Sequence, residues 1–217
     1  IMPRALLALK NAGRTDLLPL LGEGLARSVY ELLRVHREGL KSENNKNKNK
    51  SVQTNSVCLP GSFDPITLGH LEIIKRLANQ FNRVVVLVSN NAEKKYLFTQ
   101  KERVEMVELV CKNLLNVDVK STDGLTVEFA KTNQISLLAR GIRNISDLQY
   151  EQNLYNFNRT LEPRIDTIYL IADTKFLFIS SKNIKELIKN NVNMDAFLPS
   201  EIIDRVTKKV KSTQFEK

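Results

Sequence analysis

The sequence of 217 residues predicts an α/β protein with a five-stranded parallel sheet, preceded by an N-terminal segment of different character. Three observations predict this. From residue 55 onward, apolar runs of strand length alternate with amphipathic stretches of helix length. One of the runs, residues 83–89 (RVVVLVS), is almost unbroken valine and leucine, the pattern of a strand covered on both faces. Finally, the residues able to meet a phosphate follow the strands rather than precede them.

The first apolar run is Val57-Cys58-Leu59, and an amphipathic stretch with Leu71, Ile73, Ile74 and Leu77 follows a Gly/Pro-broken loop. After the valine run, residues 99–115 read as a helix. Thr99 is its N-cap, Glu102 completes a capping box, and Val104, Val107, Leu109, Val110 and Leu114 are among its apolar positions. Residues 117–120 read as a short strand, 126–133 as a short helix and 135–139 as a buried strand. Residues 146–161 read as a helix ended by Pro163, and 165–172 contain the fifth strand. Helices over 180–190 and 199–211 complete the chain. The result is a Rossmann-like, doubly wound sheet, in which ligands bind beyond the carboxyl ends of the strands. Four loops should meet there: the one after the first strand, residues 90–95, Arg140-Gly141, and residues 174–181.

The first forty residues use five Arg and one Lys, whereas the remainder favours Lys, Asn and Ile. Leucines at 17, 18, 20, 21, 25, 32 and 33 suggest a helical extension over residues 1–40. Residues 41–54 include SENNKNKNK, a polar tract with too little apolar surface to fold, and read as a linker. The domain proper is 55–217.

The net charge of +9 invites a nucleic-acid reading. More than half of that excess lies in residues 1–56, and the remainder lacks a motif of stacking aromatics, so an anionic small substrate explains it better. No apolar run approaches the ~18–20 residues that span a bilayer, and the opening residues are not expected to act as a secretory signal. With two Cys and two His, a structural zinc site is improbable; Cys58 and Cys111 read as buried thiols of a cytoplasmic protein.

Three motifs carry the chemistry. In Gly61-Ser62-Phe63-Asp64-Pro65-Ile66-Thr67-Leu68-Gly69-His70, glycine lets backbone approach a ligand, and a helix then starts with free N–H groups and a histidine, a combination suited to phosphate. Asp64 reads as a turn-shaping residue. In Arg140-Gly141-Ile142-Arg143, followed by Asp147, Tyr150 and Glu151, two arginines leave a buried strand able to fork onto phosphates. In Phe176-Leu177-Phe178-Ile179-Ser180-Ser181-Lys182, hydroxyls open a helix, as caps, as an anion cradle or as both.

Together with Phe197-Leu198-Pro199, these runs resemble, in order and spacing, the bacterial-type phosphopantetheine adenylyltransferases, members of the nucleotidyltransferase superfamily with a T/H-x-G-H signature. The resemblance covers about residues 56–210. It implies an enzyme that moves AMP from ATP to 4′-phosphopantetheine, giving dephospho-coenzyme A and pyrophosphate by in-line attack, without a covalent intermediate. It implies that His70, Lys94 and Ser62 are catalytic. Ser62, Phe63, His70, Gly141, Ile142, Arg143, Glu151, Phe176, Leu177, Phe178, Ile179, Ser180, Ser181 and Lys182 would hold ATP. Ser62, Lys94, Thr126 and Arg140 would hold the acceptor. It further implies Mg²⁺ carried mainly by the phosphates with no protein metal ligand, a homo-hexamer, and coenzyme A as a feedback ligand. No nucleic acid or membrane partner is implied.

The chain departs from the family's usual residues at Ser62 (commonly Thr), Leu68 (commonly Asn), Tyr96 (commonly Pro) and Lys182 (commonly Ser). None removes a group the transfer needs, and either Lys94 or Lys95 can be the working lysine. Two alternatives stand beside this reading. One is another nucleotidyltransferase of the superfamily, acting on nicotinamide mononucleotide or transferring cytidylyl. The other is a binding module with reduced catalysis that recruits a partner through residues 1–40.

Overall fold

The computed structural model describes residues 55–90 and 94–213. The helical extension over 1–40 and the linker over 41–54 lie outside the described residues.

Five strands form one parallel sheet: β1 (Ser56–Gly61), β2 (Arg83–Ser89), β3 (Val117–Thr122), β4 (Leu137–Ile142) and β5 (Asp166–Ile171), in the order β3-β2-β1-β4-β5. Six helices connect or follow them: α1 (Leu68–Ala78), α2 (Gln100–Cys111), α3 (Thr126–Thr132), α4 (Ile145–Leu161), α5 (Ser181–Lys189) and α6 (Ile203–Ser212). Among the described residues no helix is long and apolar enough to cross a membrane.

The alternation of side chains along a strand explains the unbroken valine run. Val84, Val86 and Val88 enter the larger core with Val57 and Leu59, against Ile73, Ile74 and Leu77 of α1, Met106 and Val107 of α2, and residues of α5 and α6. Val85 and Leu87 face the other way, with Cys58, Leu138, Ile165 and the α3 residues Val127 and Ala130. Fully burying one such side chain contributes about 1.5–3 kcal/mol, so a strand in this position favours apolar residues on both faces.

Two expectations change. The segment expected as a strand over 135–139 forms β4 over Leu137–Ile142, so Arg140-Gly141 lies within the strand rather than beyond it. Ile135 instead closes the turn after α3, its N–H donating to Ala130 O at 2.9 Å, while Gln134 has a positive φ of 57°. On α2 the buried face is Arg103, Met106, Val107, Val110 and Cys111, and Leu109 is exposed. The capping box of Thr99 and Glu102 forms as expected.

The strand order reverses between β1 and β4, which share one registered pair, Cys58 with Leu138. Pro60, further along β1, has no N–H for a ladder, and its carbonyl accepts from Arg140 Nη1 at 2.6 Å. At such a reversal the sheet's carboxyl edge opens into a crevice.

Candidate active site

The loop after β1 is built around Asp64. This buried carboxylate accepts from the backbone N–H groups of Leu97 at 3.0 Å and Phe98 at 2.9 Å, and from Lys185 Nζ at 2.5 Å. It thereby ties the β1 loop to the segment after Lys94-Lys95-Tyr96 and to α5. Phe63 has a positive φ of 48°, and its ring folds back over Gly61, where a Cβ would stand 2.8 Å from ring carbons. Only glycine leaves room for that ring.

Thr67 caps α1 in a reciprocal box with His70. The Thr67 N–H donates to His70 Nδ1 at 3.1 Å, and Thr67 Oγ1 accepts from the His70 N–H at 3.4 Å. Because Nδ1 accepts, a neutral imidazole carries its proton on Nε2. Burial first, then the charges of Arg143 and Arg140, push the His70 pKa down from 6.5 to about 4, so the ring is neutral at pH 7. The Phe63 and His70 rings pack in a T-shaped pair, with centroids 5.2 Å apart.

The expectation of free N–H groups at this helix start is corrected by the tertiary structure. The Leu68 N–H donates to Phe197 O at 3.0 Å and the His70 N–H is taken by Thr67, so part of the first turn is already satisfied. The Phe197-Leu198-Pro199 run thus acts from the far end of the chain as a cap on α1. Gly69 permits close approach of the opposite wall, since a Cβ there would lie 3.3 Å from Phe176 Cβ.

Arg140 lies across the floor of the crevice. Glu151, buried on α4, grips it through Nε at 2.8 Å and Nη2 at 2.5 Å, while Nη1 reaches Pro60 O. Both Glu151 oxygens face the guanidinium, whose terminal nitrogens each keep one further N–H for an anion. Arg143 is held by Asp147 at 2.9 Å and donates to Ile179 O at 3.3 Å. On the remaining side, Ser180 caps α5 by accepting from the Asn183 N–H at 3.1 Å, and Ser181 Oγ donates to Pro65 O at 2.9 Å.

These elements enclose a cleft of about 640 Å³, lined by Ser62, Phe63, Gly69, His70, Lys94, Lys95, Arg140, Gly141, Arg143, Glu151, Phe176, Ile179, Ser180, Ser181, Lys182 and Lys185, among others. A second cleft of about 300 Å³ adjoins it, lined by Leu125, Thr126, Leu138, Leu154, Tyr155 and Phe157. Ser62, Lys94, Arg140 and Glu151 line both. Lys95 lines the first cleft and not the second. Ile142, Leu177 and Phe178 line neither; Ile142 is buried in the sheet and Phe178 is exposed.

Two features of the site escaped the reading of the sequence: the pairing of Asp64 with a lysine of the helix that the third motif opens, and a buried arginine. Lys185 reaches Asp64 across 121 positions of chain, which no local pattern reveals. Arg103 is fully buried on α2; a charged residue in register with Met106, Val107 and Val110 was a signal that went unread.

The cytidylyltransferase-like family model matches residues 58–187, a span that contains both clefts' principal side chains. The phosphopantetheine adenylyltransferase of Finegoldia magna is 41% identical over 150 residues, covering 69% of this chain and 93% of that protein. The chain belongs to the phosphopantetheine adenylyltransferase family. The family's enzyme from Levilactobacillus brevis is 42% identical over 143 residues, covering 66% of this chain and 89% of that one. A solved structure from Vibrio parahaemolyticus, assigned as a nicotinate-nucleotide adenylyltransferase, superposes with a TM-score of 0.52 at 14% identity. It covers 72% of this chain and 91% of that chain, and the likeness is one of fold.

Proposed function

We infer that this chain is an adenylyltransferase of coenzyme A synthesis, moving AMP from ATP to 4′-phosphopantetheine. Family membership supports the reaction. The observation that carries the division of labour is that two clefts meet at Ser62, Lys94 and Arg140. ATP occupies the larger cleft, between His70, Arg143 and the start of α5. The pantetheine arm occupies the smaller one beside Thr126, and the acceptor phosphate sits at the junction.

An oxygen of that phosphate attacks the α-phosphorus of ATP. A new P–O bond forms, the bond from the α-phosphorus to the bridging β-oxygen breaks, and pyrophosphate leaves with the electron pair. The acceptor phosphate is already an anion near neutral pH, so no base is required, and positioning and charge stabilisation do the catalysis. His70 donates from Nε2 to the triphosphate and to the transition state. Lys94, which lines both clefts, follows the charge from acceptor to product. Glu151 does not touch substrate in this scheme; it holds the Arg140 fork toward the acceptor phosphate.

The cleft's cations suit the triphosphate, and Mg²⁺ would arrive bound to its oxygens rather than to protein ligands. Among the described residues no three His, Cys, Asp or Glu side chains are grouped as metal ligands, and Asp64 and Glu151 are committed to Lys185 and Arg140. When bound, the ion neutralises phosphate charge. Self-association is part of the proposal, with the homo-hexamer as the family's form: Ile145, Leu148, Tyr150, Phe157 and Leu161 of α4 and Tyr169 and Ile171 of β5 are exposed apolar residues. Coenzyme A is proposed as a feedback ligand of the same clefts. The free, buried Cys58 and Cys111 are in keeping with a cytoplasmic protein.

The deciding experiment is pyrophosphate release with ATP or CTP against phosphopantetheine, nicotinamide mononucleotide and glycerol phosphate. Release with ATP and phosphopantetheine alone is expected. Preference for any other pair would replace the reading by another transferase of the superfamily.

A further inference from the structure

Arg103 projects from the apolar face of α2, is 1% exposed, and sits among Met106, Val107 and Val110. A core position of this kind is ordinarily filled by Leu or Met, because a buried charge is costly unless its hydrogen bonds are met. Here Nη1 donates to Ser62 O at 2.6 Å and to Ser89 O at 3.4 Å, and Nη2 donates to Asn90 Oδ1. Asn90 Nδ2 donates onward to Asp123 Oδ1 at 2.7 Å. The Tyr96 ring covers the guanidinium, 4.2 Å from its carbon. Among the described residues no carboxylate pairs with Arg103 directly, and its Nε finds no partner. Its directed bonds go to the ends of strands rather than to a counter-charge.

Those bonds join three loops of the sheet's carboxyl edge. Ser62 belongs to the loop after β1. Ser89 ends β2 and Asn90 follows it, four residues before Lys94, and Asp123 lies three residues before Thr126. All the anchored loops border the smaller cleft or its junction with the larger one. Among the described residues, the hydrogen bonds of His70, Arg143 and Ser180-Ser181 go elsewhere: to Thr67, to Asp147 and Ile179, and to Asn183 and Pro65.

We propose that Arg103 is a positioning residue for the acceptor: its fork sets the spacing of the Ser62, Asn90 and Asp123 loops around the acceptor cleft without touching either substrate. The proposal rests on the substrate reading above. A lysine there keeps the charge but cannot direct two nitrogens in a plane, so it cannot hold Ser62 O and Asn90 Oδ1 together.

The test compares steady-state kinetics of the wild type, Arg103→Lys, Arg103→Met, Asn90→Ala and the Arg103→Lys/Asn90→Ala pair, with thermal melts of each. Misplacing a reacting group by about an ångström costs up to roughly a hundredfold. Arg103→Lys is therefore expected to raise the KM for 4′-phosphopantetheine about tenfold and lower kcat, with the KM for ATP within about threefold of wild type. Asn90 is exposed, so Asn90→Ala leaves the core intact and should show the same acceptor-selective loss in milder form. The paired variant should be little worse than Arg103→Lys alone, since both break one network. Wild-type constants in the Arg103 variants, or equal losses for both substrates that track a lowered Tm, would overturn the proposal. If the Arg103 variants fail to fold, a wild-type acceptor KM in Asn90→Ala overturns it equally. A wild type inactive with ATP and phosphopantetheine would overturn the substrate reading instead, and this inference with it.

Discussion

Thr67 and His70 cap one another at the start of α1, the threonine N–H on Nδ1 and the histidine N–H on Oγ1. The helix cap therefore selects the histidine's tautomer. A glutamate or glutamine usually fills the N3 position of such a box; histidine does the same with Nδ1 and keeps Nε2–H for a ligand. A cap and the proposed phosphate donor thus share one side chain.

Removing that donor should cut turnover by roughly 10²–10³, the range for losing one preorganised donor to a developing charge. His70→Ala is expected to bind ATP with a much smaller change, measured by equilibrium titration. His70→Asn is the finer probe, because its amide can replace either the cap or the donor but not both. Wild-type turnover in the alanine variant would remove His70 from the chemistry.

The lowered pKa has two consequences for pH. Nuclear magnetic resonance titration of the His70 ring should give a midpoint near 4 in the free protein, moving upward when ATP binds, since an anion favours the charged ring. Any acid limb of kcat/KM near pH 6 then belongs to the second ionisation of the acceptor phosphate, about 6 for a phosphate monoester, and should persist in His70→Asn. Stability follows the same group. The unfolded ring takes a proton near 6.5 and the folded ring near 4, so its contribution is complete above 6.5 and is lost as pH falls through that window.

Glu151→Gln keeps the shape of the side chain but removes the charge from the Arg140 clamp. A charge-assisted hydrogen bond is worth about 1.5–3 kcal/mol, which corresponds to a rise of roughly 10- to 100-fold in acceptor KM if it sets the fork. The KM for ATP should change less. Equal effects on both substrates would indicate that Glu151 meets ATP itself.

Gly61→Ala should be destabilising, because its Cβ would stand 2.8 Å from the Phe63 ring. Overpacking of this kind costs about 1–3 kcal/mol, to be read from chemical denaturation. Activity should fall as well, since displacing Phe63 moves the loop that carries Ser62. A stable, fully active variant would show that the ring turns aside freely.

Self-association should reside on α4 and β5. Sedimentation of the wild type is expected to give one assembly larger than a monomer, and Ile145→Glu with Ile171→Glu should dissociate it, since a buried unpaired charge disfavours the contact. These positions are exposed in the single chain, so the subunit itself should keep its fold.

How far the sequence could be read depends on the range of the interactions. The strand–helix order, the two-faced β2 and the capping box of α2 are local patterns, visible in period and composition. The side chains of the site could be named for the same reason, since the three motifs hold most of their residues within short windows. Their partners could not. Asp64 was legible as a turn residue, but its link to Lys185 spans 121 positions and its bonds to Leu97 and Phe98 depend on how two loops meet. β4 was displaced because Ile135 continues the apolar run into Leu137 and Leu138, yet closing the turn after α3 took it.

The sequence by itself determined the α/β class, the parallel sheet and the inventory of candidate phosphate-binding groups, because each is written in local chemistry. Only the tertiary structure decided what those groups do to each other. It capped α1 with Phe197, lowered the His70 pKa by holding the ring partly buried beside two arginines, and set Arg140 in the clamp of Glu151. Burial and the field of neighbouring charges decide protonation and direction, and both exist only once the chain has closed on itself.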